Sequence, residues 1–266
     1  MPKQKKHSII DVFERAGAHS VVVSSLVHSK RMVISKMSEA IGNGHDGEGS
    51  NLQDFIEKQK DTEMAINGGY FYFGKVKETY EMEIPDGKNV GDGFGLCKIS
   101  DYSCGTIISS SERMGGWVVQ RCRGEPFELI PNVPGTIPPK YDEYKYILSC
   151  SPLLIMGGKR VPNPVTPLEI IEKKGPPGHL GHLTQPNQRS LIGQRVDGSL
   201  VFISTQNGII FEDMQELMEK SDCQTAMALD GGGSTFLWEK GQPKVQGDKT
   251  RVVGNSIVVF ADSSYV

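Results

Sequence analysis

Ala226-Met227-Ala228-Leu229-Asp230-Gly231-Gly232-Gly233-Ser234-Thr235-Phe236-Leu237-Trp238 sets two short apolar runs on either side of an acidic, glycine-rich turn. Runs of four or five apolar residues bounded by turn residues read as strands. The order is therefore strand, carboxylate, glycine turn, strand. A plain hairpin needs only two turn residues. Three successive residues without side chains let backbone N–H groups converge on an anion, and Ser234 and Thr235 add hydroxyl donors. The stretch reads either as a ligand-facing loop with Asp230 at its mouth or as a hairpin turn.

Working outward, strands predominate. Val21 to Val27 and Arg31 to Ile34 read as strands joined by a His28-Ser29-Lys30 turn. Further strands are expected at 64–66, 106–110, 117–122, 146–156, 191–196, 200–205, 226–229, 235–239 and 256–260. Asp197-Gly198 marks a hairpin between two of them, because it supplies the positive φ angles of a tight turn. Two helices are expected, 51–61 capped by Ser50 with Leu52, Phe55 and Ile56 on one face, and 212–221 with Met214, Leu217 and Met218 at helical spacing. Strands so outnumber helices that the expected class is α+β, a β-rich single domain with mixed or antiparallel sheets. It spans 21–262 behind a polar arm at 1–20. Residues 42–49 should form a surface loop. Residues 131–145 and 157–190 are long loops of the kind that serves as functional lids.

The chain has 266 residues and 31 glycines, where average usage gives about 19. The glycines follow no three-residue period, which excludes collagen, and recurring apolar runs argue against disorder. A net charge of −3 without a basic patch gives no footprint for duplex nucleic acid. No apolar stretch reaches the roughly 18 residues of a membrane span, so no membrane partner is expected. The first apolar run, Val21-Val22-Val23, is too short and too late for a signal-peptide core. A cytoplasmic chain is expected, or a secreted one if a leader has been removed. Five cysteines without a CxxC pair read as free thiols.

Two more motifs carry chemistry. Ala65-Ile66-Asn67-Gly68-Gly69-Tyr70-Phe71 runs a strand into a glycine pair, with Asn67 offering donor and acceptor and aromatics that could bear on a sugar ring. Arg189-Ser190-Leu191-Ile192-Gly193-Gln194 brings an arginine into a strand, and the guanidinium fork suits phosphate or carboxylate. Arg251 ahead of 252–260 is a second candidate of that kind. His179 and His182 lie three apart but lack a helix to aim both rings, so they read as lid residues and no metal is expected. Trp117 and Trp238 read as core or rim.

Taken in order, Asn67-Gly-Gly-Tyr-Phe71, Ser151-Pro-Leu-Leu-Ile-Met-Gly-Gly158, Arg189-Ser-Leu-Ile-Gly193, Asp197-Gly198, Leu229-Asp-Gly-Gly-Gly-Ser-Thr235 and Asn255-Ser-Ile-Val-Val-Phe260 resemble the phosphodiester glycosidase family over roughly residues 60–260. The Asp-Gly-Gly-Gly-Ser element is the most specific. Family members commonly carry His-Pro ahead of the arginine. Here Asn187-Gln188 stand there, and no histidine is assigned that role.

The resemblance implies hydrolysis of a sugar-1-phosphodiester, such as an N-acetylglucosamine-1-phosphodiester, into free sugar and a phosphomonoester without a cofactor. Asp230 and Arg189 are then the catalytic candidates. Asn67, Gly68, Gly69, Gly231, Gly232, Gly233, Ser234 and Arg251 are the substrate-binding ones. A second carboxylate is sought among Glu169, Glu172 and Asp197. A non-catalytic module holding a phospho-glycan or nucleotide would use the same loop, as would a hydrolase of another phosphodiester, a nucleotide or a cell-wall polymer. The pairs Gly68-Gly69 and Gly157-Gly158 and the triplet Gly231–Gly233 are expected around one pocket.

Overall fold

A computed structural model describes residues 11–24, 28, 31–36, 52–59, 61–71, 96–99, 102–103, 115–122, 124–162, 185–249 and 251–261. Among them, β1 (Ala18–Val23), β12 (Leu200–Thr205), β11 (Ser190–Arg195), β13 (Cys223–Ala228), β9 (Leu153–Met156) and β10 (Lys159–Arg160) form a six-stranded sheet in that order. A second sheet runs β15 (Gln242–Gln246), β14 (Phe236–Glu239), β3 (Thr62–Asn67), β16 (Asn255–Phe260), β2 (Met32–Lys36). A third runs β5 (Tyr102–Ser103), β4 (Cys97–Ile99), β8 (Tyr146–Cys150), β6 (Gly116–Gln120), β7 (Glu128–Pro131). Every pairing among the described residues is antiparallel. Among the described residues three short α-helices complete them, α1 (Val12–Ala16), α2 (Leu52–Lys58) and α3 (Phe211–Lys220), with one 3-10 turn at Gly232–Ser234. Among the described residues the fold is β-rich and its sheets are antiparallel, with no mixed pairing.

Side-chain alternation explains the layering, because successive residues of a strand point to opposite faces. In the six-stranded sheet Ile192, Leu200, Phe202 and Met227 enter a core shared with the other two sheets. Their neighbours Leu191, Val201, Ile203, Ala226 and Ala228 pack instead under α1 and α3, against Val12, Phe211, Met214 and Leu217. The second sheet repeats the pattern. Met64, Ile66, Leu237 and Ile257 point into the shared core, while Ala65, Phe236, Trp238 and Val258 face Leu52, Phe55 and Ile56 of α2. Strands covered on both faces read as unbroken apolar runs.

Several expectations change. The strands before and after His28 do not pair. β1 lies beside β12 in one sheet and β2 beside β16 in another, so the proposed hairpin is instead a passage between sheets. The boundary drawn at residue 20 falls inside β1, and Val12 and Ala16 are core residues, so 12–20 are not a polar arm. The single strand expected at 146–156 is two. Pro152 has no N–H for a ladder, and β8 and β9 belong to different sheets. The Asp197-Gly198 hairpin is present, with Gly198 at φ 80° and Asp197 accepting from the Ser199 amide and hydroxyl. Residues 42–49 and 106–110, Ser50, Cys104, Glu169, Glu172, His179 and His182 lie outside the described residues. Cys97, Cys150 and Cys223 are buried, and burial pushes the thiols of the last two up to about 12. Trp117 and Trp238 are core residues.

Candidate active site

β13 and β14 are joined by the glycine turn but sit in different sheets. The turn is therefore a crossover, not a hairpin. The ends of β3, β12 and β13 meet the starts of β11, β14 and β16 there. Asn67, at the end of β3, ties this end together. Its side chain is wholly buried. Its Nδ2 donates to the Asp230 carbonyl at 2.7 Å, and its Oδ1 accepts from the Ser190 hydroxyl at 2.6 Å and the Phe236 amide at 3.0 Å. One amide thus joins β3, β11, the turn and β14. Asn67 is spent on protein groups and positions the site instead of touching a ligand.

Gly68 and Gly69 have the same standing. Both are buried. The Gly68 amide donates to the Asn255 carbonyl and its carbonyl accepts from the Asp230 amide, each at 2.9 Å. A Cβ on Gly68 would stand 2.0 Å from Asn255 Oδ1 and 3.1 Å from the Asn255 carbonyl carbon. The glycine here permits close packing of two strands and leaves no room for a ligand. The turn also departs from a simple anion cradle. Gly231 donates its amide to the Asp230 carboxylate and Gly232 donates to the Gln188 carbonyl, each at 2.9 Å, so both point into the protein. Gly233 is exposed.

Asp230 is the titratable group that the turn carries. Burial pushes its carboxyl up to about 6 from the ordinary 3.8, against the Ser234 hydroxyl and the Gly231 amide that donate to it and the nearby Arg251 cation. Such a group changes charge near neutrality, as a general acid or base requires. The turn is flanked by two arginines. Arg251 lies beside Gly233, its Cγ 3.9 Å from where a Cβ there would be. Arg189 lies beside Gly231, its Nη1 3.8 Å from the corresponding point. Arg189 is only 6% exposed. Its Nε and Nη2 donate to the carbonyls of Ile209 (3.4 Å) and Gln185 (3.3 Å). Burial pulls its pKa down, and neighbouring Tyr70 opposes the shift. Tyr70, whose hydroxyl donates to the Ser151 carbonyl at 3.2 Å, is a further member of the site. The aromatic after the glycine pair signalled it, but sequence assigned it no partner.

Other expected members lie elsewhere. Gly157 and Gly158, at φ 58° and 73°, form the turn between β9 and β10. Met156 pairs with Thr225, five residues before Asp230, which is about 17 Å along the strand at ~3.3 Å per residue. Asp197 lies in the turn past the far end of β11, whose last residue Arg195 is about 17 Å along the strand from Ser190, and it serves that turn. Among the described residues no cluster of His, Cys, Asp and Glu could hold a metal. No helix among them is long and apolar enough to cross a membrane.

Comparison with known proteins bears on the fold and the family. Similar solved structures include the catalytic domain of zebrafish N-acetylglucosamine-1-phosphodiester alpha-N-acetylglucosaminidase auto-inhibited by its pro-peptide, at TM-score 0.55, 13% identity and coverage of 96% of this chain and 86% of that one. A putative exported protein of Burkholderia pseudomallei matches at TM-score 0.58, 11% identity, and coverage of 92% and 74%. A hypothetical protein from Synechocystis matches at 0.51, 17% identity, and coverage of 92% and 59%. At these identities the likeness is one of fold, and the exported neighbour lends nothing to a cytoplasmic setting. No curated protein matches the chain. The family model for phosphodiester glycosidase covers residues 60–260, from β3 through β16 with the whole crossover inside it, and the chain belongs to the phosphodiester glycosidase family.

Proposed function

We propose that the site hydrolyses a sugar-1-phosphodiester, adding water across the bond between the anomeric carbon and the phosphodiester oxygen and releasing free sugar and a phosphomonoester. The observation that carries this is the Asp230 carboxyl, held by Ser234 and Gly231, faced by Arg251 and raised to about 6. Above that pH it is ionised and takes a proton from the attacking water. A phosphodiester is already a good leaving group, so the departing oxygen needs cationic support more than a proton, and Arg251 and Arg189 flank the turn to give it. The sugar being N-acetylglucosamine is part of the same proposal, supported by family membership and by the name of the zebrafish neighbour.

Purified protein given UDP-N-acetylglucosamine or an α-sugar-1-phosphodiester should release free sugar over time. Ligand recovered intact after prolonged incubation, by mass spectrometry, would instead mark a binding module.

A further inference from the structure

The segment after β15 lies on the glycine turn, backbone against backbone. Gly247 donates to the Thr235 carbonyl at 2.7 Å and Asp248 to the Gly233 carbonyl at 3.0 Å. A Cβ on Gly247 would fall 2.7 Å from the Gly232 carbonyl oxygen. This stacking carries Lys249 and Arg251 past the Gly233 side of the turn, while Arg189 flanks the Gly231 side. With Ser234, Gln246 and Gln53 of α2, Lys249 and Arg251 line a shallow, open hollow whose enclosed part has room for about one water molecule. Gln246 donates to Gln53 at 3.0 Å and ties α2 to the rim. Asp248 also lines the hollow, so two cations face one carboxylate. Ser234 is shared with Asp230, so a group seated here lies next to the reacting carboxyl.

We infer that this hollow takes the anionic, phosphate-bearing half of the ligand, with Lys249 as a specificity-determining residue. The inference rests on the hydrolase reading above and selects between its two arginines. The Arg189 guanidinium is buried and donates to two carbonyls, which suits it to bracing the turn. Lys249 and Arg251 are exposed and line the hollow beside Gly233 and Ser234. The hollow is too open to enclose a sugar, but it can hold one charged group from one side.

Titration with inorganic phosphate and steady-state kinetics on UDP-N-acetylglucosamine, run together on wild type, Lys249→Glu and Lys249→Arg, test it. Charge reversal should weaken phosphate binding and raise KM, each about tenfold, with kcat within about twofold, and Lys249→Arg should stay near wild type. KM should rise with salt more steeply in wild type than in Lys249→Glu. Phosphate binding that depends on Lys249 without any sugar release would sink the hydrolase reading and keep the subsite. Sugar release with KM and phosphate binding unchanged in Lys249→Glu would overturn the subsite and leave the hydrolase reading standing, as would sugar release by a wild type that binds no phosphate.

Discussion

Asp230 is more basic than a free aspartate because burial removes water from its carboxylate faster than Ser234, Gly231 and Arg251 replace it. Two consequences have definite signs. If the ionised form is the base, kcat/KM rises as pH rises through about 6 and then levels, which a pH–rate profile from 4 to 8 reads directly. For stability, a folded-state pKa of about 6 above an unfolded value near 3.8 means that the folded chain holds an extra proton between roughly pH 4 and 6. The contribution of this group to stability is then greatest below that window and falls as pH rises through it. Asp230→Asn escapes the penalty, so its melting temperature should exceed that of wild type at pH 7, with the gap closing toward pH 4. Asn67 behaves in the opposite way. Replacing it with Ala takes the side-chain partner from the Phe236 amide and the Asp230 carbonyl and leaves the Ser190 hydroxyl with Ser204 alone, at about 3 kcal/mol by denaturant titration. The placement of Asp230 between a strand and a glycine triplet was legible in sequence, because the flanking apolar runs are local signals. The role of Asn67 was not, since an Asn before Gly-Gly also fits a hairpin, and only the approach of β11 and β14 gives its amide partners.

At the scale of elements, the glycines let backbones touch where strands change sheets. Gly247→Ala would drive a methyl group against the Gly232 and Gly233 carbonyl oxygens, at 2.7 and 2.8 Å. Backbone cannot swing aside as a side chain can, so the segment bearing Lys249 and Arg251 must lift. The expected cost is about 1–3 kcal/mol of stability, with a loss of kcat/KM. Gly157→Ala meets nothing within 4 Å. Its penalty comes from the positive φ alone, and activity should be spared. The helices α2 and α3 and most strands of the first and second sheets were readable, because apolar periodicity is a local signal. Leu52, Phe55 and Ile56 of α2 and Met214, Leu217 and Met218 of α3 are all buried as their spacing requires. Which strands pair was not readable where the chain crosses between sheets. The links from β1 to β2, β8 to β9 and β13 to β14 each look like local turns, and long-range packing decides otherwise. β15, as Gln242-Pro243-Lys244-Val245-Gln246, has too little apolar character to register as a strand and is made one by pairing with β14.

For the whole molecule, the first and second sheets share a core with the third, and each of the first two is covered on its other face by helices. The site lies where strand ends of both sheets meet, so a perturbation on either side of the core reaches it. Residues 12–16 are part of this build. Removing the chain up to Gly17 would uncover the pocket that Val12 and Ala16 fill beside α3, at about 2 kcal/mol. That should lower the melting temperature by roughly 5 °C in a chain of this size. The surface pairs Arg15–Asp213 and Lys220–Asp11 add little to that sum. The central claim is that the carboxyl at the crossover of the two sheets performs the hydrolysis. Its most direct test is the rate of free-sugar release from an α-sugar-1-phosphodiester by wild type and by Asp230→Asn, with matched melting curves showing both folded. The account predicts a loss of about 10²–10⁴-fold in kcat for the variant, whereas an Asp230→Asn protein that releases sugar as fast as wild type would contradict it.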